Sequence, residues 1–144
     1  NAAVITAGFA PGLFSMAILC VNNLRDIETD KISNKRTLAV RFGRGFAITQ
    51  YFASILSACL IPIFLFLFMD DHRNILYSTL VLFGGVHAFK TVAEAQDGPT
   101  LNRMLAYTGK LLMIYSVVFS MLDYMKIASF DVYEYRLPLT QPLL

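Results

Sequence analysis

Four long apolar runs limit this chain to a small set of architectures. The runs cover Ala3 to Val21, Phe46 to Met69, Ile75 to Ala93 and Arg103 to Leu122. Each is close to or above the ~20 residues that a helix needs to cross a hydrocarbon core. Because lipid offers no hydrogen-bond partners to a peptide backbone, such runs fold as helices. The sequence therefore predicts an all-α, polytopic transmembrane helical bundle that forms a single transmembrane domain over residues 1–144.

The composition agrees with a membrane protein and argues against an ordinary soluble domain. Of the 144 residues, 56% are hydrophobic and only 15% are charged, and the mean hydropathy is +0.57. The net charge of +2 is small and indicates no nucleic-acid partner. Cys20 and Cys59 both lie inside apolar runs, where a thiol behaves as a small hydrophobic group. We therefore expect neither a disulfide nor a metal site from these cysteines.

The positions of the basic residues predict how the chain is oriented. Residues 22–45 form a polar loop, which the positive-inside rule places in the cytoplasm and, in a bacterium, at the inner membrane. We expect a second cytoplasmic turn over Glu94 to Asn102, with Thr100 as the helix N-cap. The connector from Asp70 to Arg73 and a loosely ordered tail from Asp123 to Leu144 then lie on the opposite side. The basic residues of the first loop are Arg25, Lys31, Lys35, Arg36, Arg41 and Arg44.

Side chains with oxygen atoms recur every four residues after the first apolar run. If the helix of that run continues past Val21, then Asn22, Asp26 and Asp30 fall on one stripe. Neighbouring carboxylates repel one another unless a cation lies on them. Hard oxygen ligands with flanking Lys and Arg suit a magnesium ion that carries a phosphorylated ligand. The spacing therefore predicts a Mg²⁺ site on this stripe.

Three alternatives account for parts of the same loop. Basic side chains that anchor a membrane interface explain the positive charges, but they do not explain the acidic spacing. A calcium loop of the EF-hand type is excluded because its sixth position is Lys31 rather than Gly and its twelfth is Thr37 rather than Glu. Solvated ion pairs, Asp26 with Lys31 or Asp30 with Arg36, would contribute little energy. The spacing alone leaves the metal site and the ion pairs both open.

The acidic loop also resembles the motif of a known family. The residues from Asn22 to Asp30, NNLRDIETD, and those from Lys35 to Gly43, KRTLAVRFG, are similar to the second aspartate-rich motif of the UbiA superfamily of intramembrane prenyltransferases. The segments Ala7 to Leu13 and Leu111 to Ser116 also resemble that family. Within the superfamily, the residues of this motif are most similar to those of the members that act on 1,4-dihydroxy-2-naphthoate.

This resemblance implies a fold and a reaction. Family members have about nine membrane helices, with two aspartate-rich motifs that face each other across a central cavity. This chain carries the second motif only, so it resembles the C-terminal half of such an enzyme, and we expect it to be inactive alone. The implied reaction is Mg²⁺-dependent transfer of a polyprenyl group from polyprenyl diphosphate to dihydroxynaphthoate, which gives demethylmenaquinone in menaquinone synthesis. Other acceptors (4-hydroxybenzoate or homogentisate), a transporter subunit and a non-catalytic scaffold are the alternatives.

The resemblance also implies a role for individual residues of the motif. Asp26 and Asp30 are the expected catalytic residues, and with Asn22 they would hold Mg²⁺ and through it the diphosphate. Asn23 and Lys110 are further candidates for the same site, although we expect the long side chain of Lys110 to extend to the membrane interface. The residues expected to bind diphosphate oxygens directly are Arg25, Lys31, Lys35 and Arg36.

Three further expectations concern local structure. Glu28 lies off the stripe and should pair with a basic side chain at the surface. Asn34 stands where relatives often carry Gly, and it tolerates a left-handed turn better than most residues. Gly84 and Gly85 in the third run should allow close contact between helices.

Overall fold

The computed structural model describes the backbone of residues 2–68 and 73–134, with side chains at all of these except 73, 74, 123 and 125–134. Within these ranges the chain is helical and contains no strand. Four helical stretches in the same ranges are long and apolar enough to cross a membrane. The predicted fold class, a polytopic helical bundle, is confirmed. The elements are α1 (Ala2–Arg25), α2 (Ile27–Ile32), α3 (Leu38–Phe68), a 3-10 helix (Arg73–Leu80), α4 (Val81–Glu94) and α5 (Gly98–Glu134).

The third span differs from a single regular helix. Its first part, Arg73–Leu80, is a 3-10 helix, and only from Val81 onward is it an α-helix. Ser78 is fully buried in this 3-10 part, and its hydroxyl donates to the carbonyl of Ile75 at 2.6 Å. Such side-chain hydrogen bonds satisfy polar groups that lipid would leave unpaired. The connector predicted around residues 70–72 lies outside the described residues.

The bounds of α5 correct three predictions, which concern the start of the span, its N-cap and the tail. The helix begins at Gly98, before the predicted span, and its N-cap is Asp97 rather than Thr100. The backbone N–H of Thr100 donates to Oδ1 of Asp97 at 2.7 Å, which satisfies one of the free donors at the helix start. Hydrogen bonds from Thr100 hold the pKa of Asp97 below its usual range. The third correction is that α5 continues to Glu134, so much of the predicted loose tail is helical; residues 135–144 lie outside the described residues.

The core lies where α1 packs against α3 and α5. Phe14 of α1 is fully buried, and its ring centroid lies 5.2 Å from that of Tyr115 in α5. The hydroxyls of Tyr51 and Thr108 lie 2.9 Å apart inside the bundle, which links α3 to α5. A polar group at this depth is costly unless it pairs within the protein, because lipid cannot pair with it. Both cysteines are buried, as their apolar surroundings predicted, and their thiols are free.

The paired glycines of α4 lie at close contacts with neighbouring helices, as predicted. A Cβ built on Gly85 would lie 2.8 Å from Cγ2 of Ile55 in α3, and one on Gly84 would lie 2.7 Å from Cδ2 of Leu111 in α5. Ile55 is buried and β-branched, so it has one strongly preferred rotamer in a helix and cannot move aside cheaply. At Gly85 the backbone of α4 therefore approaches α3 more closely than a larger residue would allow, whereas the atom close to Gly84 is the end of the flexible Leu111 side chain.

We predict that Gly85→Ala destabilises the bundle by about 1–3 kcal/mol, because the added methyl overlaps Ile55. The matched control is Gly109→Ala in α5, where an added Cβ meets nothing within 4 Å. That control should be neutral or should stabilise by up to ~1 kcal/mol through helix propensity. Unfolding of the full-length protein in mixed micelles measures both variants. Equal stability of Gly85→Ala and the wild type would contradict the close contact.

Candidate site at the loop end of the bundle

The α1–α3 connection and the α4–α5 connection meet at the same end of the bundle. Nη1 of Arg25, at the end of α1, donates to Oδ1 of Asn102 in α5 at 2.5 Å. Arg44, near the start of α3, donates to the backbone carbonyl of Ala95 in the α4–α5 connection. The two loops that the sequence predicted to share one side of the membrane are therefore in direct contact.

The acidic segment keeps its helical spacing through a short break. α1 ends at Arg25, Asp26 has φ −96° and ψ 9°, and α2 starts at Ile27. The backbone N–H of Asp26 nevertheless donates to the carbonyl of Asn22 at 3.1 Å, and that of Asp30 donates to the carbonyl of Asp26 at 2.8 Å. The stripe residues Asn22, Asp26 and Asp30 therefore remain one helical turn apart.

The guanidinium of Arg25 donates hydrogen bonds to side-chain oxygen atoms of Asp26 and Asn22. Nε and Nη2 donate to the two carboxylate oxygens of Asp26, both at 2.7 Å, in a bidentate pair. Nη2 also donates to Oδ1 of Asn22 at 2.9 Å. The hydrogen bond from Arg25 holds the pKa of Asp26 below its usual range. Because that pKa is lowered, the stabilising effect of the pair is present at neutral pH and is lost as the pH falls through the lowered value.

Asp30 lies in a different environment one turn later. It is only 6% exposed, and its carboxylate lies 3.3 Å from Nζ of Lys35. The chain can fold back because Asn34 adopts the left-handed conformation, with φ 57°, as its residue type predicted. The backbone N–H of Lys35 then donates to the carbonyl of Asp30 at 2.9 Å. The ion pairs considered from the sequence, Asp26 with Lys31 and Asp30 with Arg36, are replaced by Asp26 with Arg25 and Asp30 with Lys35.

A pocket of about 490 Å³ opens between α2, the start of α3 and the α4–α5 connection. Its charged lining residues are Arg25, Glu28, Lys31 and Arg44, and its apolar floor includes Leu24. Glu28 and Lys31 form an exposed ion pair of 2.7 Å, so the surface partner predicted for Glu28 is confirmed. Of the four cations predicted to bind diphosphate, the pocket brings two together, while Lys35 and Arg36 lie outside it.

Arg44 is a structural residue at this end that the sequence did not single out. Gly43 has φ 83° and ψ 176°, a conformation that favours glycine, and it breaks α3 near its start. The guanidinium of Arg44 then reaches the last turn of α4, where Nη2 lies 3.4 Å from the carbonyl oxygens of Val92 and Ala93. A cation at a helix C-terminus satisfies free carbonyls and interacts favourably with the helix dipole. The sequence explained Arg44 only as an interface anchor.

In the part of the chain that the structure describes, the two additional site candidates, Lys110 and Asn23, take no part in the hydrogen bonds around Arg25. Lys110 is exposed on α5, twelve residues after the helix start, which corresponds to ~18 Å along the axis. Asn23 is partly buried at the end of α1. Neither side chain takes part in the hydrogen bonds that join Arg25, Asp26 and Asn102 within the described residues.

The chemistry of the acidic segment fits a divalent cation only as part of a larger site. Asn22, Asp26 and Asp30 offer amide and carboxylate oxygens, the donors that Mg²⁺ prefers. Among the described residues, however, no group of three or more His, Cys, Asp or Glu side chains could hold a metal ion. Further ligands would therefore come from water, from a phosphorylated substrate or from another part of the full-length protein.

Comparison with known proteins decides the family. The model of the UbiA prenyltransferase family matches residues 1–121. The chain belongs to this family. It is 32% identical over 120 residues to the 1,4-dihydroxy-2-naphthoate octaprenyltransferase of Escherichia coli, covering 81% of this chain and 38% of that protein. The octaprenyltransferase of the same name from Mycobacterium leprae is 30% identical over 106 residues, covering 74% and 35%.

The family assignment confirms the resemblance of the acidic motif to UbiA prenyltransferases. The chain is therefore part of an integral membrane protein. A third relative with the same printed name, from Haemophilus influenzae, is 28% identical over 120 residues, covering 82% of this chain and 38% of that protein. This UbiA-family chain therefore spans a little over a third of the length of the curated relatives that it matches. No solved structure matches the chain. UbiA prenyltransferases generally depend on a divalent metal ion.

We predict that Arg44→Gln loosens the α4–α5 connection, because the neutral amide cannot replace a cation at the C-terminus of α4. Amide hydrogen exchange at residues 95–101 should accelerate at least roughly tenfold, as expected for loss of charged hydrogen bonds. The control is Arg41→Gln, which removes an exposed cation one turn earlier on α3. Hydrogen exchange with mass spectrometry on the full-length protein measures both variants, and identical exchange in the two would contradict the capping role.

Proposed function

We propose that the full-length protein transfers a polyprenyl group from polyprenyl diphosphate to an aromatic acceptor, with 1,4-dihydroxy-2-naphthoate as that acceptor and demethylmenaquinone as the product. Three relatives that match most of this chain carry that acceptor in their names. The chain covers a little over a third of each relative, so the activity is proposed for the whole protein and not for this part alone. The single observation that carries the proposal is the acidic segment of a UbiA-family chain, with Asn22, Asp26 and Asp30 one turn apart.

The proposed chemistry requires charge neutralisation at the loop end of the bundle. The bond between the allylic carbon and diphosphate breaks, and the electron pair leaves with diphosphate. The electron-rich ring forms the new carbon–carbon bond and loses its carboxylate as carbon dioxide, which gives demethylmenaquinone in its reduced, quinol form. Asp26 and Asp30, with Asn22, would hold Mg²⁺, which when bound supplies a Lewis acid for the anionic leaving group. The site lies at a membrane surface, where a charged headgroup stays near water while the prenyl chain remains in the apolar phase.

The ion pairs of the segment suggest how its own cations take part. Arg25 and Lys35 balance the carboxylates of Asp26 and Asp30 within the chain. Released from Asp30, Lys35 would be free to donate to diphosphate oxygens, while Arg25 would keep Asp26 through Nε and Nη2 and donate the one remaining N–H of its planar fork. Lys31, on the wall of the 490 Å³ pocket, and exposed Arg36 are proposed as further phosphate ligands. We place this end of the bundle on the cytoplasmic side, because it carries the basic loop.

We predict that Asp26→Asn and Asp30→Asn each reduce prenyl transfer by the full-length protein at least ~100-fold, since each removes a carboxylate that would hold the Mg²⁺ ion that neutralises the leaving diphosphate. Glu28→Gln is the matched control, because this exposed carboxylate in the same segment pairs only with Lys31 among the described residues. Membranes with labelled polyprenyl diphosphate, a panel of aromatic acceptors and graded Mg²⁺ provide the assay. Lys110→Met should reduce transfer less than either aspartate change.

Two outcomes would contradict the proposal. Near-normal turnover in either aspartate variant would remove the acidic segment from the reaction. Transfer to 4-hydroxybenzoate or homogentisate, with none to dihydroxynaphthoate, would keep the reaction class and replace the acceptor. Insertion and folding of the variants are checked by thermal unfolding, which should remain cooperative in each of them.

A further inference from the structure

Asn102 contacts the acidic segment from a distant part of the chain. It lies in the second turn of α5, 77 residues after Arg25, and its Oδ1 accepts a hydrogen bond from Nη1 of that arginine at 2.5 Å. Neither the acidic motif nor the pocket lining includes it. The contact is the one side-chain hydrogen bond among the described residues that joins the acidic segment to α5.

The geometry of Arg25 connects Asn102 to Asp26. A guanidinium is planar and rigid, so a hydrogen bond at one nitrogen restricts the orientation of the others. Nε and Nη2 each donate a hydrogen bond to one carboxylate oxygen of Asp26. Nη2 also donates to Asn22, and Nη1 donates to Asn102. Four of the five N–H donors of the guanidinium are therefore used in these contacts. The hydrogen bond from Nη1 to Asn102 therefore fixes the plane of the guanidinium. That plane in turn sets the orientation of the Asp26 carboxylate, which is bound to Nε and Nη2.

Asn102 lies near a helix start that is held by other contacts, so it can restrict the position of Arg25. The start of α5 is itself secured, by the Asp97 cap and by the contact of Arg44 with Ala95 just before it. The acidic segment has less local support, because the helix breaks at Asp26 and α2 is only six residues long. An arginine side chain at such a break would sample several rotamers without an external partner.

We propose that Asn102 is a positioning residue, whose amide oxygen orients the guanidinium of Arg25 and through it the carboxylate of Asp26 toward a divalent cation. This inference rests on the proposed function, in which Asp26 is a metal ligand. Residues that orient metal ligands through hydrogen bonds typically change metal affinity by ~10–100-fold when they are removed. The effect expected for Asn102 is therefore on metal affinity rather than on acceptor binding.

The test compares two substitutions of Asn102 in the full-length protein. Asn102→Leu keeps the approximate shape and removes the acceptor, whereas Asn102→Asp keeps an oxygen that Arg25 can bind. Mn²⁺ binding in the presence of inorganic diphosphate, followed by electron paramagnetic resonance, gives a readout independent of turnover. We expect roughly tenfold weaker Mn²⁺ binding for Asn102→Leu and wild-type or tighter binding for Asn102→Asp. Arg103→Leu is the control, because Arg103 hydrogen-bonds only Thr100 of its own helix within the described residues.

Activity assays separate this inference from the proposed function. The Mg²⁺ concentration for half-maximal transfer should rise about tenfold in Asn102→Leu, with little change in the KM for the acceptor. Wild-type Mn²⁺ binding in Asn102→Leu would overturn the inference while leaving the proposed function intact. A wild-type protein that binds Mn²⁺ but prenylates no acceptor would overturn the function alone.

A general structural role for Asn102 predicts a different pattern. In that case Asn102→Leu and Asn102→Asp would lower the unfolding midpoint together and weaken Mn²⁺ binding equally, which would overturn the inference. If Asn102→Leu does not fold, Arg25→Lys tests the same link, because an ammonium keeps the charge but cannot bridge Asp26 and Asn102 as a planar fork. It should weaken Mn²⁺ binding to a similar degree, and unchanged binding would overturn the inference.

Discussion

The hydrocarbon interior of a membrane cannot hydrogen-bond to a peptide group, and the rest of this structure depends on that constraint. Four helical spans satisfy it with their own backbone hydrogen bonds, and the polar pair of Tyr51 and Thr108 inside the bundle is matched internally. Ion pairs are consequently expected at the ends of the helices, where water can reach them. The ion pairs among the described side chains all lie between Arg25 and Lys35, in one short connection.

Two arginines then hold that end of the bundle together. Arg44 binds carbonyl oxygens at the C-terminus of α4, and Arg25 joins the end of α1 to Asn102 of α5. Arg25 donates from all three nitrogens of its planar guanidinium, which a lysine could not do, whereas Arg44 makes its contacts through Nη2 alone. The acidic segment is thereby placed against a defined surface instead of extending freely into water. A mobile loop would lose more entropy on binding a charged substrate than this arrangement does.

Each carboxylate of the segment is paired with a cation of the chain, and a metal ion could take over part of that role. Asp26 and Asp30 each have a cationic partner within the chain, so neither carboxylate is left without a counter-charge near the membrane. A phosphorylated substrate with its metal ion would bring both a cation for the carboxylates and an anion for Arg25 and Lys35. In the proposed enzyme this chain contributes one acidic segment, and it spans a little over a third of the relatives' length.

Much of this protein was determined by local sequence. The length of the apolar runs fixed the number of spans, residue type fixed the left-handed turn at Asn34, and spacing kept Asp26 and Asp30 one turn apart, because each of these depends on neighbours along the chain. Only the tertiary structure decided that Arg25 contacts Asn102 and that a cation from α3 caps α4. Those partners are separated by about fifty to eighty residues, and a hydrogen bond depends on distances of about 3 Å that only helix packing sets.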